Sequence, residues 1–227
     1  MRRSGPTVTC HVEDLPEPEC GPREVIIEPA FIGMCGSDLE LLAGHFDANY
    51  PVKYPVVLGH EWAGHVVGRG AQVQEFEIGQ LVVGHGDLGG NHWFGLTDPG
   101  AMADRFSIDA GICFAVPDGV SAQRAAMVEP LACALQGVRA AGGVDPGTVA
   151  AVFGCGTLGL AVIGALVSCG ALVVAIDLSE RRREAALRLG AGAALPAGDG
   201  ATVRRAMQDA LGITEVDLVV DLDDVGA

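Results

Sequence analysis

The chain has 227 residues, room for one large domain or two modest ones, and 49% of them are hydrophobic, enough for a sizeable core. Its net charge is −15, and of its fourteen basic residues only Lys53 is a lysine; that field repels nucleic acid and anionic membrane, which argues against both as partners. No long apolar stretch runs without Gly, Pro or charge, no apolar segment follows the opening Met1-Arg2-Arg3-Ser4-Gly5-Pro6, and the seven cysteines form no CxxC pair, so a soluble, cytoplasmic protein with reduced thiols is expected.

Up to about residue 120 the signals are those of short strands. Glu24-Val25-Ile26-Ile27-Glu28 reads as a strand ending at Pro29, and residues 63–67 and 81–83 are further apolar runs punctuated by Gly68, Gly70, Gly79 and Gly84. A short helix over 37–42 is the one exception, and a compact barrel of short strands is the expected fold. Two stretches in it carry chemistry: Gly33-Met34-Cys35-Gly36-Ser37-Asp38-Leu39-Glu40, and Leu58-Gly59-His60-Glu61-Trp62-Ala63-Gly64. Thiolate and imidazole are the ligands zinc most favours, and a catalytic zinc takes three protein ligands and keeps an open position. Either stretch alone reads as a core thiol or a surface histidine; beside a nucleotide-binding unit downstream, the two together point to a metal.

Ser121 is placed to cap a helix beginning at Ala122, and Pro130 is expected to interrupt it and to suit the first turn of the next. Then comes the stretch that organises the chain. Val149-Ala150-Ala151-Val152-Phe153 is of strand length and leads into Gly154-Cys155-Gly156-Thr157-Leu158-Gly159, a G-x-G-x-x-G loop; apolar residues follow at helical spacing to Gly170, residues 172–176 read as a second buried strand, and Asp177 ends it. Strand, glycine loop, helix, strand and acid in that order form a dinucleotide-binding unit. Gly154 permits the tight turn, Gly156 lets backbone approach a pyrophosphate, and Gly159 lets helix and strand pack closely. The helix start at Thr157 and Leu158 offers unpaired N–H groups to the phosphates, and Asp177 is placed to accept from both ribose hydroxyls. Beyond it, Ser179 is expected to cap a helix over 180–189 that Gly190 stops, followed by a short strand at 193–195, a helix over 202–211 and a fourth strand over 216–220.

Cys35-Gly36-Ser37-Asp38, Gly59-His60-Glu61 with Gly64, Val128-Glu129-Pro130-Leu131-Ala132 and the glycine loop ending at Asp177 together resemble the zinc-containing medium-chain dehydrogenases and reductases of the alcohol, polyol and sugar dehydrogenase kind. The resemblance implies a β-rich GroES-like catalytic domain over 1–130 and an incomplete α/β doubly wound, Rossmann domain over 131–227. It implies one catalytic Zn2+ and NAD, with hydride passing between NAD and a secondary alcohol, a polyol or sugar. Carried over by position, Cys35 and His60 are zinc ligands and Glu129 is the favoured third; Glu61 matches a near-metal glutamate that ligates or only tunes the site, and Asp38 the acid that orients the imidazole. Ser37 matches the hydroxyl that hands the proton outward. Glu40 stands where many relatives carry a relay histidine, which resembles the glucose-dehydrogenase branch and favours a polyhydroxylated substrate. Many relatives hold a structural zinc with four cysteines soon after residue 84; residues 84–100 here contain none, and no structural zinc is expected. Asp177, with no positive charge on Leu178 or Ser179, favours NAD over NADP. The family forms homo-oligomers. Since the sequence stops soon after the fourth strand, the 227-residue chain alone is expected to be a weak catalyst; a zinc-free reductase and a nucleotide-binding protein without catalysis are the competing readings.

Overall fold

A computed structural model describes residues 1–4, 7–45 and 52–222; the closing 223–227, part of the tail after the fourth strand, lies outside them. The chain divides into two units, Met1–Glu129 and Pro130–Ala227.

The first unit opens with a small hairpin, β1 (Arg2–Ser4) and β2 (Thr7–Thr9). There follow β3 (Glu24–Ile32), helix α1 (Gly36–Ala43), β4 (Trp62–Arg69), β5 (Leu81–Gly84), a second hairpin of β6 (Asp87–Gly89) and β7 (His92–Trp93), then β8 (Phe106–Asp109), β9 (Cys113–Ala115) and helix α2 (Ala122–Ala125). Five of these strands form one antiparallel sheet in the order β8-β3-β4-β5-β9. The period of two explains the core: Val25 and Ile27 on β3, Trp62 and Val66 on β4, Val82 on β5 and Phe106 and Ile108 on β8 are all buried in one cluster. Phe106 meets Trp62 edge-on with ring centroids 4.9 Å apart, and Phe94 lies 5.1 Å from Phe106.

β3 does not end at Pro29. It runs on to Ile32, paired with β4, with its register shifted between Pro29 and Phe31. β8 pairs only with Glu24 to Ile27, so the missing N–H of Pro29 falls where β3 has one neighbour left, next to a bulge, which is where a sheet tolerates proline. Opposite it, Gly64 is needed for close approach: a Cβ there would lie 2.6 Å from the Glu28 carbonyl oxygen and 3.0 Å from Pro29 Cα.

Helix α3 (Val128–Ala140) carries Glu129 and Pro130 in its first turn. As expected, Ser121 caps α2, its hydroxyl accepting from Arg124 N; the interruption, however, comes at 126–127, before the proline. The second unit is parallel: β10 (Val149–Phe153), α4 (Thr157–Ser168), β11 (Leu172–Asp177), α5 (Glu180–Arg188), β12 (Ala193–Pro196), α6 (Gly200–Leu211) and β13 (Leu218–Asp221) give a sheet ordered β12-β11-β10-β13. Successive strands step one way from β10 and then β13 returns to its other side, so the carboxyl end of β10 is a topological switch point, the place where open α/β sheets bind ligands. Three local expectations are corrected. Ser179 holds the N-cap position of α5 but its side chain makes no capping bond; its backbone N–H donates to the Asp177 carboxylate. α6 starts at Gly200, two residues early, since Asp199 caps it by accepting from Thr202 N at 2.7 Å. The fourth strand starts at Leu218, because the side chain of Asp217 turns aside to accept from Val149 N at 2.8 Å.

Candidate functional site

Cys35 is the N-cap of α1, in extended conformation (φ −91°, ψ 159°). Asp38, three residues on, reaches back and its Oδ2 accepts from Cys35 N at 2.9 Å. Leu41, fully buried, anchors the helix against Val56, Leu58 and Leu96. The cap leaves Asp38 Oδ1 facing His60 Nδ1 at 3.8 Å, with both side chains buried. His60 and Glu61 lie just before β4, behind a backbone-on-backbone contact: Gly100 N, Met102 N and Ala101 N donate to the carbonyls of Val57, Leu58 and Gly59 at 2.8–2.9 Å. Gly59 is left-handed there (φ 98°), and a Cβ on Gly95 would overlap its carbonyl oxygen.

The donor atoms of Cys35, His60 and Glu61 all lie within 4.8 Å of one another, the one such group of three or more metal-ligating side chains among the described residues. The carboxylate grouped with Cys35 and His60 is that of Glu61; Glu129 is not in the group. Glu61 follows His60 directly at the end of the sheet, whereas Glu129 comes from the first turn of α3 and acts on both through its charge. A hydrogen bond with His60 draws the Cys35 thiol below its usual range against the effect of burial, and Ser37 adds side-chain and backbone hydrogen bonds in the same direction. Burial lowers the basicity of His60, but its hydrogen bond with Cys35 and the charges of Asp38, Cys35 and Glu129 leave it net raised. Burial raises Glu61, helped by the charges of Glu129 and Asp38 and opposed by His60 and Cys35. Glu40 stands apart, its carboxylate 3.8 Å from His45 Nδ1 at the far end of α1.

In the stretch between β5 and residue 100, His92 Nδ1 lies 2.9 Å from Asp98 Oδ2, which also accepts from the Thr97 hydroxyl. His65 is exposed on the outer face of β4.

In the second unit the glycine loop takes the expected form. Gly154 is left-handed (φ 84°), and a Cβ on Gly159 would overlap its carbonyl oxygen, so the helix passes directly over the turn. A Cβ on Gly156, the N-cap of α4, would meet nothing within 4 Å. Asp177 is 5% exposed; its Oδ2 accepts from Cys155 N and its Oδ1 from Ser179 N, both at 2.7 Å. Burial raises its pKa, but these two amides and Arg182, 3.7 Å away, outweigh it and hold the carboxyl below the usual aspartate range. Arg183 donates to the carbonyls of Asp177 and Leu178. Neither the Cys155 amide nor the backbone role of Arg183 was readable from spacing; an arginine four to six residues after the strand-end acid was the available signal.

An antiparallel unit with a Cys–His–Glu set, followed in the chain by a parallel dinucleotide-type unit, is the domain order of the alcohol-dehydrogenase class. The alcohol dehydrogenase GroES-like domain matches residues 21–118. The chain is 37% identical over 202 residues to the (R,R)-butanediol dehydrogenase of Bacillus subtilis (strain 168), a match covering 79% of this chain and 58% of that one. It is 32% identical over 200 residues to the sorbitol dehydrogenase of the same organism, covering 79% and 56%. The crystal structure of 2R,3R-butanediol dehydrogenase from Bacillus subtilis superimposes with a TM-score of 0.83 at 31% identity, over 98% of this chain and 70% of that one. The chain belongs to the zinc-type medium-chain dehydrogenase/reductase family, and it spans just over half the length of the two curated relatives. Among the described residues no helix is long and apolar enough to cross a membrane.

Proposed function

We propose that the chain transfers hydride between NAD and a secondary alcohol of the diol, polyol or sugar class at a zinc centre held by Cys35, His60 and Glu61. The observation that carries this is the three-donor group itself. Its chemistry suits zinc: thiolate, imidazole and carboxylate are three of the metal's usual ligands, and three leave a position for substrate. The surroundings suit a cation too. Cys35, Glu61, Asp38 and Glu129 converge on one imidazole, and Asp38 Oδ1 and His60 Nδ1 are buried without a hydrogen-bond partner. Zinc held there would supply Lewis-acid activation of the substrate hydroxyl, and NAD would supply the hydride acceptor.

The chain's own residues set up the rest. Asp38 fixes the imidazole so that the nitrogen away from it faces Cys35, the usual arrangement of a metal-bound histidine and its carboxylate. Ser37, hydrogen-bonded at Cys35, is the hydroxyl next to the reacting centre and serves to pass the alcohol proton outward. Glu40, turned to His45, is assigned to the outer end of that path. Gly156 leaves the start of α4 clear for the pyrophosphate, whose charge the helix N-terminus favours, and Asp177 takes the ribose. The lowered pKa keeps Asp177 ionised, so it repels a 2′-phosphate, and Arg182, the nearest cation, is engaged by Asp177 itself. This supports NAD over NADP.

Zinc analysis, NADH fluorescence titration and an oxidation screen over butanediol, sorbitol and related polyols test the proposal. NAD reduction that depends on polyol and is abolished by a chelator supports it. A chain that retains no zinc when purified, or tighter binding of NADPH than of NADH, contradicts the corresponding part.

A further inference from the structure

We infer that Gly33 is a positioning residue for the ligand set, its missing side chain being what lets the Glu61 carboxylate turn toward Cys35 and His60; this rests on the zinc centre proposed above. Ile32, the last residue of β3, pairs with Trp62, the first of β4. Gly33 and Glu61 extend that ladder by one step, with Gly33 N donating to the Glu61 carbonyl at 2.7 Å. Neighbours across a ladder share side-chain space, and here all of it is used by Glu61. A Cβ on Gly33 would overlap Glu61 Oε2, lie 2.9 Å from Glu61 Cβ and 3.2 Å from its Cδ. The backbone at Gly33 is not left-handed, as it is at Gly59; the position asks for space and not for an unusual turn. Alanine therefore fits the backbone conformation, and the displacement falls on Glu61: its carboxylate, at the end of a flexible side chain, must rotate away, and its Cβ, 2.9 Å from the added methyl, must give slightly as well.

Glu61 is held at 9% exposure, with its Cβ and carboxylate lying over Gly33 and a carboxylate oxygen within 4.8 Å of the donor atoms of Cys35 and His60. Rotating it away to relieve the overlap takes one of three donors out of the group. Gly33 thus decides whether the chain offers two donors or three.

The test uses the full chain with cobalt(II) as the probe, compared in wild type, Gly33→Ala, Glu61→Gly and the double variant. Gly33→Ala is expected to weaken cobalt binding by about tenfold or more and to alter the d–d bands, while keeping the thiolate-to-cobalt band that reports Cys35. In the Glu61→Gly background, where no side chain remains to displace, adding Gly33→Ala is expected to change neither affinity nor spectrum. Wild-type affinity and spectrum in Gly33→Ala overturn the inference and leave the zinc centre standing. An equal loss from Gly33→Ala in both backgrounds, or failure of both alanine variants to fold, overturns it as well, since the effect then does not pass through Glu61. Absence of cobalt binding by the wild type overturns the zinc centre and the inference together.

Discussion

His60 Nδ1 and Asp38 Oδ1 lie 3.8 Å apart, each buried and each without a hydrogen-bond partner. Asp38 is held by its other oxygen, on the amide of Cys35, so one carboxylate ties the positions of Cys35 and His60 together. Asp38→Asn keeps an acceptor for the Cys35 amide but removes the charge that faces the imidazole. It is expected to lower zinc affinity by about 10- to 100-fold with the thermal unfolding of the metal-free chain little changed. Chelator competition measures the first and a melting curve the second; unchanged zinc affinity would show that Asp38 serves only as the cap of α1.

The grouping of Glu61 with Cys35 and His60 makes the two glutamates unequal. Glu61→Gln is expected to reduce zinc affinity more than Glu129→Gln, which removes only a neighbouring charge from the group, and Cys35→Ser to abolish stoichiometric zinc. The same chelator competition ranks the three. A larger loss from Glu129→Gln would return the third ligand position to Glu129.

The glycine loop separates a nucleotide effect from a stability effect. Nothing lies within 4 Å of a Cβ on Gly156, whereas a Cβ on Gly159 would overlap the Gly154 carbonyl. Gly156→Ala is therefore expected to leave the unfolding transition in place and weaken NADH binding, a tenfold loss corresponding to about 1.4 kcal/mol. Gly159→Ala is expected to destabilise the second unit outright, by mechanisms worth about 1–3 kcal/mol. If the two variants behave alike in both denaturant unfolding and NADH titration, the division of roles is wrong.

What was legible in the sequence divides along the range of the forces involved. The β10–α4–β11 unit was readable because its signals are local: a strand, three glycines and an acid within 29 residues. The stretches around Cys35 and His60 were readable as residue types, but their grouping depends on which side chain the tertiary fold turns inward. The family resemblance favoured Glu129; in the structure the carboxylate grouped with Cys35 and His60 is that of Glu61. The extension of β3 through Pro29 was hidden for the same reason, since only the pairing with β4 and the absence of β8 at that point make a proline acceptable. The role of residues 95–102 behind His60 comes from contacts between backbones that carry no side-chain signature.

The sheet of the first unit encloses a tryptophan with an unmet need. Trp62 is 1% exposed and its Nε1 has no hydrogen-bond partner, so its ring contributes packing while its N–H carries a desolvation cost. Phe106, edge-on to it, has no such cost. Phe106→Ala is expected to destabilise by about 3–5 kcal/mol, and Trp62→Phe by no more than about half of that, because the cavity left by the smaller ring is offset by removal of the orphaned donor. Urea unfolding of the two variants compares them directly, and an equal or greater loss from Trp62→Phe would mean that the indole N–H is satisfied in solution.

Asp177 links the proposed nucleotide site to acid stability. Burial pushes its pKa up, but the amides of Cys155 and Ser179 and the charge of Arg182 leave it net lowered in the folded chain, below the ordinary aspartate value of about 3.9. A carboxyl with a depressed folded pKa binds its proton more readily once the chain unfolds. The stability it adds is therefore complete above the unfolded value and is lost as pH falls through the folded one. Between pH 6 and pH 3 the wild type is expected to lose more unfolding free energy than Asp177→Asn, which has nothing to protonate there, and the two curves should converge toward the acid end. Binding of NADH should also weaken in Asp177→Asn at neutral pH, where the carboxylate is ionised. Parallel stability curves across that range would show that the Cys155 and Ser179 amides are held by the loop itself and gain nothing from the charge.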